Sequence, residues 1–222
     1  MLEFRNADAF IGKVPILRGL TLRIDASETI ALIGRNGAGK TTTLRSVMGF
    51  TDVRGQILVD GNDITKVEPS RRPALGIGYA PEDRRLFSGF TVEENVLLPG
   101  EVAGLSSADR SARLDKVYQV LPELKEMADR PAGAVSGGQR KMVALGRGLM
   151  LGTRLLMLDE PFQGLAPALA HRYADALKRL RDIDRDVTVL VTESNPTLLK
   201  SFAERTLVIE RGEITEPNRV AV

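Results

Sequence analysis

Three short segments in a fixed order constrain this chain more than anything else in it. The first is a glycine-rich loop, G-R-N-G-A-G-K-T, formed by Gly34, Arg35, Asn36, Gly37, Ala38, Gly39, Lys40 and Thr41. The second is S-G-G-Q, comprising Ser136, Gly137, Gly138 and Gln139. The third, L-L-M-L-D-E over residues 155–160, ends on Asp159 and Glu160. The loop matches G-x-x-x-x-G-K-[ST], a pattern that by itself specifies only nucleoside triphosphate binding. Four apolar residues ahead of an Asp-Glu pair read as a buried strand delivering two carboxylates at its carboxyl end, where ligands of open α/β sheets bind.

Each segment has a physical rationale. Glycines let a backbone curl close to an anion and turn successive N–H groups toward it, and the helix that follows adds its positive end. Lys40 supplies the side-chain charge. The Thr41 hydroxyl is expected to hold Mg²⁺ bridging the β- and γ-phosphates, with Thr42 beside them. Asp159 is expected to contact the same ion directly or through water. After S-G-G-Q, residues 140–150 read as a helix, whose first amides are free to meet an anion. Alone, a glycine-rich helix start needs no ligand, and two acids often just end a strand at the surface. The phosphate loop upstream favours the chemical reading.

Between these segments, β-like runs alternate with amphipathic stretches, the pattern of an α/β domain. Strands are predicted over residues 29–34, 55–60, 77–80, 155–158, 187–191 and 207–209, and helices over 40–48 and 92–98. From Ser107, the residues Leu114, Val117, Tyr118 and Leu121 form one apolar helical face, with Ser106 and Asp109 at capping-box spacing. Ala170, Tyr173, Ala174, Leu177 and Leu180 form another. Residues 81–131 interrupt the alternation with helices. The expected organisation is one domain over 1–222, with an α/β core at about 1–80 and 152–222 and an inserted helical lobe at about 81–151.

Composition excludes several classes. The 31 Lys and Arg against 29 Asp and Glu give a net charge of only +2, spread along the chain, so nucleic acid is not expected as a partner. With no cysteine there is no disulfide framework or thiolate metal site. The longest apolar runs fall far short of the ~20 residues a membrane-spanning helix needs. The start, M-L-E-F-R-N-A-D, shows no basic region followed by an apolar stretch, so no secretory signal is read there and a cytoplasmic chain is expected.

The order of phosphate loop, S-G-G-Q and L-L-M-L-D-E resembles the ATP-binding subunits of ABC transporters over essentially the whole length. That resemblance implies a P-loop NTPase fold of ABC type, with an α/β core, an N-terminal antiparallel β region and an inserted helical lobe. It implies ATP and Mg²⁺ as ligands and Glu160 as the group that polarises the attacking water. S-G-G-Q of one subunit would meet the γ-phosphate held by the loop of another, in a head-to-tail dimer. Residues 76–95, G-I-G-Y-A-P-E-D-R-R-L-F-S-G-F-T-V-E-E-N, together with Gly164-Leu-Ala-Pro, resemble the ATPases of branched-chain amino-acid importers, particularly the LivF type, and their relatives for urea and short amides. Glu82 stands where most ABC subunits carry Gln. By resemblance it links the γ-phosphate and metal side of the site to the surface gripping the membrane subunit.

Two departures from the family pattern carry expectations of their own. Aligning V-L-V-T-E-S-N, residues 189–195, with the family places Ser194 where most members carry His. The single histidine, His171, falls on a helix and is expected at the surface. Slow hydrolysis is therefore expected at the site built on this phosphate loop, and a His-bearing partner ATPase could keep a second site fast. The family's adenine-stacking aromatic position holds Ile11, leaving Phe10 as either a substitute or a core residue. The resemblance further implies transmembrane permease subunits, a second ATPase chain, an indirect solute-binding partner and a location on the inner face of the membrane. Two rivals are a soluble ABC ATPase of repair or translation, disfavoured by the lack of heptads or a second phosphate loop, and a slow regulatory subunit. A GTPase is disfavoured by the absence of N-K-x-D.

Overall fold

The computed structural model describes residues 1–83, 85–195, 197–199 and 202–215. Arg84, inside the importer-like stretch, lies outside them.

Two sheets share one core. Strands β1 (Leu2–Ile11), β2 (Val14–Ile24), β4 (Asp52–Val59) and β5 (Asn62–Asp63) form an antiparallel sheet in the order β2-β1-β4-β5. The second sheet adds β3 (Thr29–Ile33), β6 (Ile77–Ala80), β7 (Leu155–Asp159), β8 (Thr188–Glu193), β9 (Arg205–Glu210) and β10 (Glu213–Thr215), in the order β10-β9-β3-β8-β7-β6. All its pairs are parallel except β10 with β9. The parallel strands read as unbroken apolar runs because both their faces are covered. Ile30, Leu32, Leu155, Met157 and Leu190 pack toward the antiparallel sheet and helix α1 (Lys40–Met48). Ala31, Leu156, Leu158, Val189 and Val191 pack toward the other helices.

Those helices are α2 (Val92–Val102), α3 (Ser107–Val120), α4 (Pro122–Glu126), α5 (Gly137–Leu151) and α6 (Pro167–Ile183). Four of them, α2 to α5, lie between β6 and β7 in the chain. Val96, Val117, Leu121, Leu124 and Leu145 close their shared interior with no measurable exposure. The stripe from Ala170 to Leu180 on α6 is buried throughout.

Boundaries differ from the sequence reading where tertiary contact outweighs local signals. Helix α2 runs past the expected 92–98, with Pro99 inside it. A capping box of Thr91 with Glu94 secures its start, and Gly100 sits tightly against Arg110, Leu105 and Met150. Strand β4 begins at Asp52 rather than Gly55 because it continues pairing with β1 across a register shift. Strand β8 reaches Glu193, two residues beyond expectation, by pairing with Ile33 of β3. At α3 the cap is one-sided: Ser106 accepts from the Asp109 amide, while its own hydroxyl donates to the Asp109 carboxylate.

Candidate active site

Strand β3 delivers the glycine-rich loop and α1 leads away from it, so Lys40 is the first residue of the helix. Gly37 and Gly39 take φ values of 81° and 116°, a region closed to side chains with a Cβ except at a cost. The helix starts with no side-chain cap, leaving its first amides available to an anion. The amide of Gly212, in the turn after β9, donates to Ala38 and holds the loop from behind.

The loop floors a cavity of about 410 Å³ walled also by Ile11, Ile16, Glu82, Glu160 and Gln163. Lys40 is 4% exposed and its ammonium donates to the carbonyls of Gly34 and Arg35, at 2.7 and 3.2 Å, and meets Glu160 Oε1 at 2.9 Å. Ser194, one residue past β8, closes the group. Its hydroxyl is 2.9 Å from Lys40 Nζ, 2.8 Å from Asn36 Oδ1 and 3.0 Å from Glu160 Oε1. Short as it is, this side chain reaches three polar partners. Thr42 is buried and also walls the cavity.

Asp159 ends β7 beside Thr192 of β8, its parallel partner. Its carboxylate accepts from Thr192 at 2.8 Å, Thr41 at 3.1 Å and Tyr79 at 3.1 Å. Burial raises its carboxyl pKa and these three donors oppose that rise. Thr41 and Asp159 thus put two oxygen donors side by side at a second cavity that adjoins the first, with no cluster of three or more carboxylate or histidine ligands among the described residues. Such a donor set fits Mg²⁺, which keeps waters and substrate phosphate oxygens as most of its shell.

Glu160 is buried with its backbone in the left-handed region at φ 45°. Its amide donates to the carbonyl and the hydroxyl of Thr192, each at 3.1 Å, and its carbonyl accepts from Lys141. Its Oε2 is buried without a hydrogen-bond partner among the described residues. Two residues further on, the Phe162 amide donates to Glu193. Burial chiefly pushes the Glu193 carboxyl up to about 7.

Glu82 is exposed and walls both this cavity and an adjoining one shared with Thr41, Tyr79 and Asp159. Lys40, Thr41, Thr42, Asn36, Glu82, Asp159, Glu160 and Ser194 therefore converge. Phe10 does not join them. Its ring lies in a neighbouring groove, 4.9 Å under the Arg54 guanidinium, while Ile11, 52% exposed, walls the phosphate-loop cavity. Ser136, Gly137, Gly138 and Gln139 also stand apart. Ser136 caps α5 in a capping box with Gln139, and a Cβ on Gly138 would run into Leu169 of α6. His171 is exposed on α6. Sequence reasoning missed Tyr79, Thr192, Lys141 and Glu193. All four sit in strands or helices readable as core, and only strand register brings Thr192 beside Asp159.

The chain matches the ABC transporter family over residues 17–163. It belongs to that family. The cassette is 36% identical over 215 residues to the high-affinity branched-chain amino acid transport ATP-binding protein BraG of Pseudomonas aeruginosa, covering 96% of this chain and 91% of that one. It is 32% identical over 215 residues to the probable branched-chain amino acid transport ATP-binding protein LivF of Archaeoglobus fulgidus, covering 96% and 90%. Other relatives of nearly this similarity are named for lipopolysaccharide export and methionine import. The structure resembles the ADP conformation of an ATP-binding cassette of an ABC transporter, with a TM-score of 0.80, 29% identity, and 97% and 89% of the two chains covered. This cassette is an ATP-binding transporter subunit and an ATPase of ABC type. No helix among its described residues is long and apolar enough to cross a membrane.

Proposed function

We propose that this cassette powers an importer for branched-chain or other amino acids, or related amides. The observation that carries the reading is its 36% identity to BraG across 96% of the chain. Lys40, Thr41 and Glu160 on one cavity, with Asp159 bonded to Thr41 at the cavity adjoining it, support the chemistry. The α/β core would span about 1–80 and 152–222, and the helical lobe about 81–151.

In the proposed mechanism, the loop amides from Gly34 to Thr41 and the Lys40 ammonium hold the β- and γ-phosphates of ATP. Thr41 and Asp159 would hold Mg²⁺, which would supply positive charge to offset that developing on the phosphates. Lys40 leaves Glu160 for the phosphates, and the freed carboxylate takes the proton of the attacking water. Thr192 and Tyr79 keep Asp159 oriented. Ser194 keeps hold of Glu160 and Asn36. Glu82 relays the state of the site toward the permease, which docks on the helical lobe. Ser136, Gly137, Gly138 and Gln139 act on the ATP of a second cassette, in a head-to-tail dimer that closes on ATP and opens after hydrolysis. The working complex is peripheral on the inner face of the membrane, with two permease chains, a second ATPase and a solute-binding protein supplying the solute.

Glu160→Gln in the assembled complex tests the chemistry. Bound ATP should persist while turnover falls about 100-fold; parent-like turnover would refute the role of Glu160. Gentle solubilisation with mass spectrometry tests the assembly: recovery with permease chains and a second ATPase supports it, and recovery from the soluble fraction alone favours a soluble ABC ATPase.

A further inference from the structure

We infer that Lys141 is a positioning residue for Glu160, fastening the helix that Ser136 begins to the backbone carbonyl of Glu160 in the same chain. Lys141 is on α5, whose cap is Ser136, and only 4% of it is exposed. A lysine that deep is costly unless its ammonium is bonded and its charge is matched. Its Nζ donates to the carbonyl of Glu160 at 2.5 Å. Glu193 stands close enough for the Lys141 charge to pull its carboxyl pKa down against the effect of burial.

The bonded carbonyl belongs to one of the few non-glycine residues whose backbone takes a positive φ. A glutamate at φ 45° is in the left-handed region, which costs a residue with a Cβ about 1–2 kcal/mol. It persists because both peptide groups of Glu160 are tied: the amide to Thr192 of β8, and the carbonyl to Lys141 of α5 and to the Gln163 amide. The direction of the Glu160 side chain follows from that backbone. Without the Lys141 bond, the Glu160 carbonyl loses this tie to α5 while its amide keeps its ties to β8.

The consequence is a rigid path between two sites. Gln139 and Lys141 lie two residues apart on the first turns of α5, so a shift of the S-G-G-Q segment moves the ammonium that holds Glu160. Engagement of that segment on one ATP would therefore adjust the carboxylate serving the other.

This inference rests on Glu160 as the hydrolytic base. The test compares Lys141→Met, which keeps a straight chain and has no donor, with Lys141→Gln, of similar length but with a donor amide, in the complex purified with its partner subunits. Both should bind MgATP within about two-fold of the parent; turnover should fall about tenfold or more for Met and stay within about threefold for Gln. Parent-like turnover in the Met variant overturns the inference, as do equal losses in both variants or loss of turnover in step with loss of ATP binding. A Met variant that cannot fold also overturns it, because the bond then serves stability alone. Glu160→Gln measured alongside separates the two readings: if it retains turnover the role of Glu160 fails, and if it is inactive while Lys141→Met is not, only the role of Lys141 fails.

Discussion

The Lys40 ammonium and the Glu160 carboxylate stand 2.9 Å apart, with side chains 4% and 7% exposed. The cation proposed to bind phosphate and the carboxylate proposed to act as the base thus neutralise each other inside the fold. Breaking a buried pair from one side leaves an uncompensated charge, at a cost of about 3–5 kcal/mol. The two sides are unequal. Without Lys40, Glu160 keeps only Ser194 as a polar side-chain partner among the described residues; without the Glu160 charge, Lys40 keeps two carbonyls and the Ser194 hydroxyl. Lys40→Met is expected to lower unfolding free energy by about 3 kcal/mol and Glu160→Gln by about 1 kcal/mol. Urea denaturation of both variants checks the order, which reverses if the pair matters mainly to Lys40.

Ser194 bridges Lys40, Asn36 and Glu160 through one oxygen. Ser194→Ala should lower turnover about tenfold with ATP affinity nearly unchanged, since it frees the carboxylate without touching the loop amides. Ser194→His, restoring the usual family residue, should raise turnover several-fold over the parent, measured as phosphate release. A parent cassette already as fast as its His variant removes the expectation of slow hydrolysis.

Phe10 and Ile11 both line the groove beside the phosphate loop, and only Ile11 also walls the cavity that the loop floors. Ile11→Ala should weaken ATP binding about three- to tenfold through lost apolar contact, while Phe10→Ala should change it by about twofold or less. Titration with a fluorescent ATP analogue distinguishes them, and the opposite ranking would assign adenine to Phe10.

Glu193 has its carboxyl pushed from 4.5 up to about 7, mainly by burial. The folded state therefore retains a proton that the unfolded chain releases across that window, and the stabilising contribution present at low pH is lost as pH rises. Glu193→Gln keeps an acceptor for the Phe162 amide but cannot ionise. The stability of the parent relative to this variant should fall by about 1 kcal/mol per pH unit between 4.5 and 7 and be flat above. Denaturation curves at several pH values read it directly.

Much of the site was legible because its parts are local. Gly37, Gly39 and Lys40 form a loop and helix start from their own backbone preferences. The apolar run before Asp159 marks a covered parallel strand. Ser136 to Gln139 read as a glycine-rich helix start whether or not any partner is near. Phe10 and Ile11 were not separable, because adjacent strand residues face opposite sides and a one-residue shift exchanges them.

By itself, then, the amino-acid order determined the phosphate loop, the two carboxylates, the fold class and the helical faces, each set by contacts within a few residues. Only the tertiary structure decided that Thr41 meets Asp159 across 118 positions, that Ser194 meets Lys40 across 154, and that Tyr79, Thr192 and Lys141 hold the two acids in place. Those meetings follow from the strand order β3-β8-β7-β6 and the packing of α5 beneath β7. Strand order is chosen by the joint burial of many apolar faces, and no short stretch of a single chain records it.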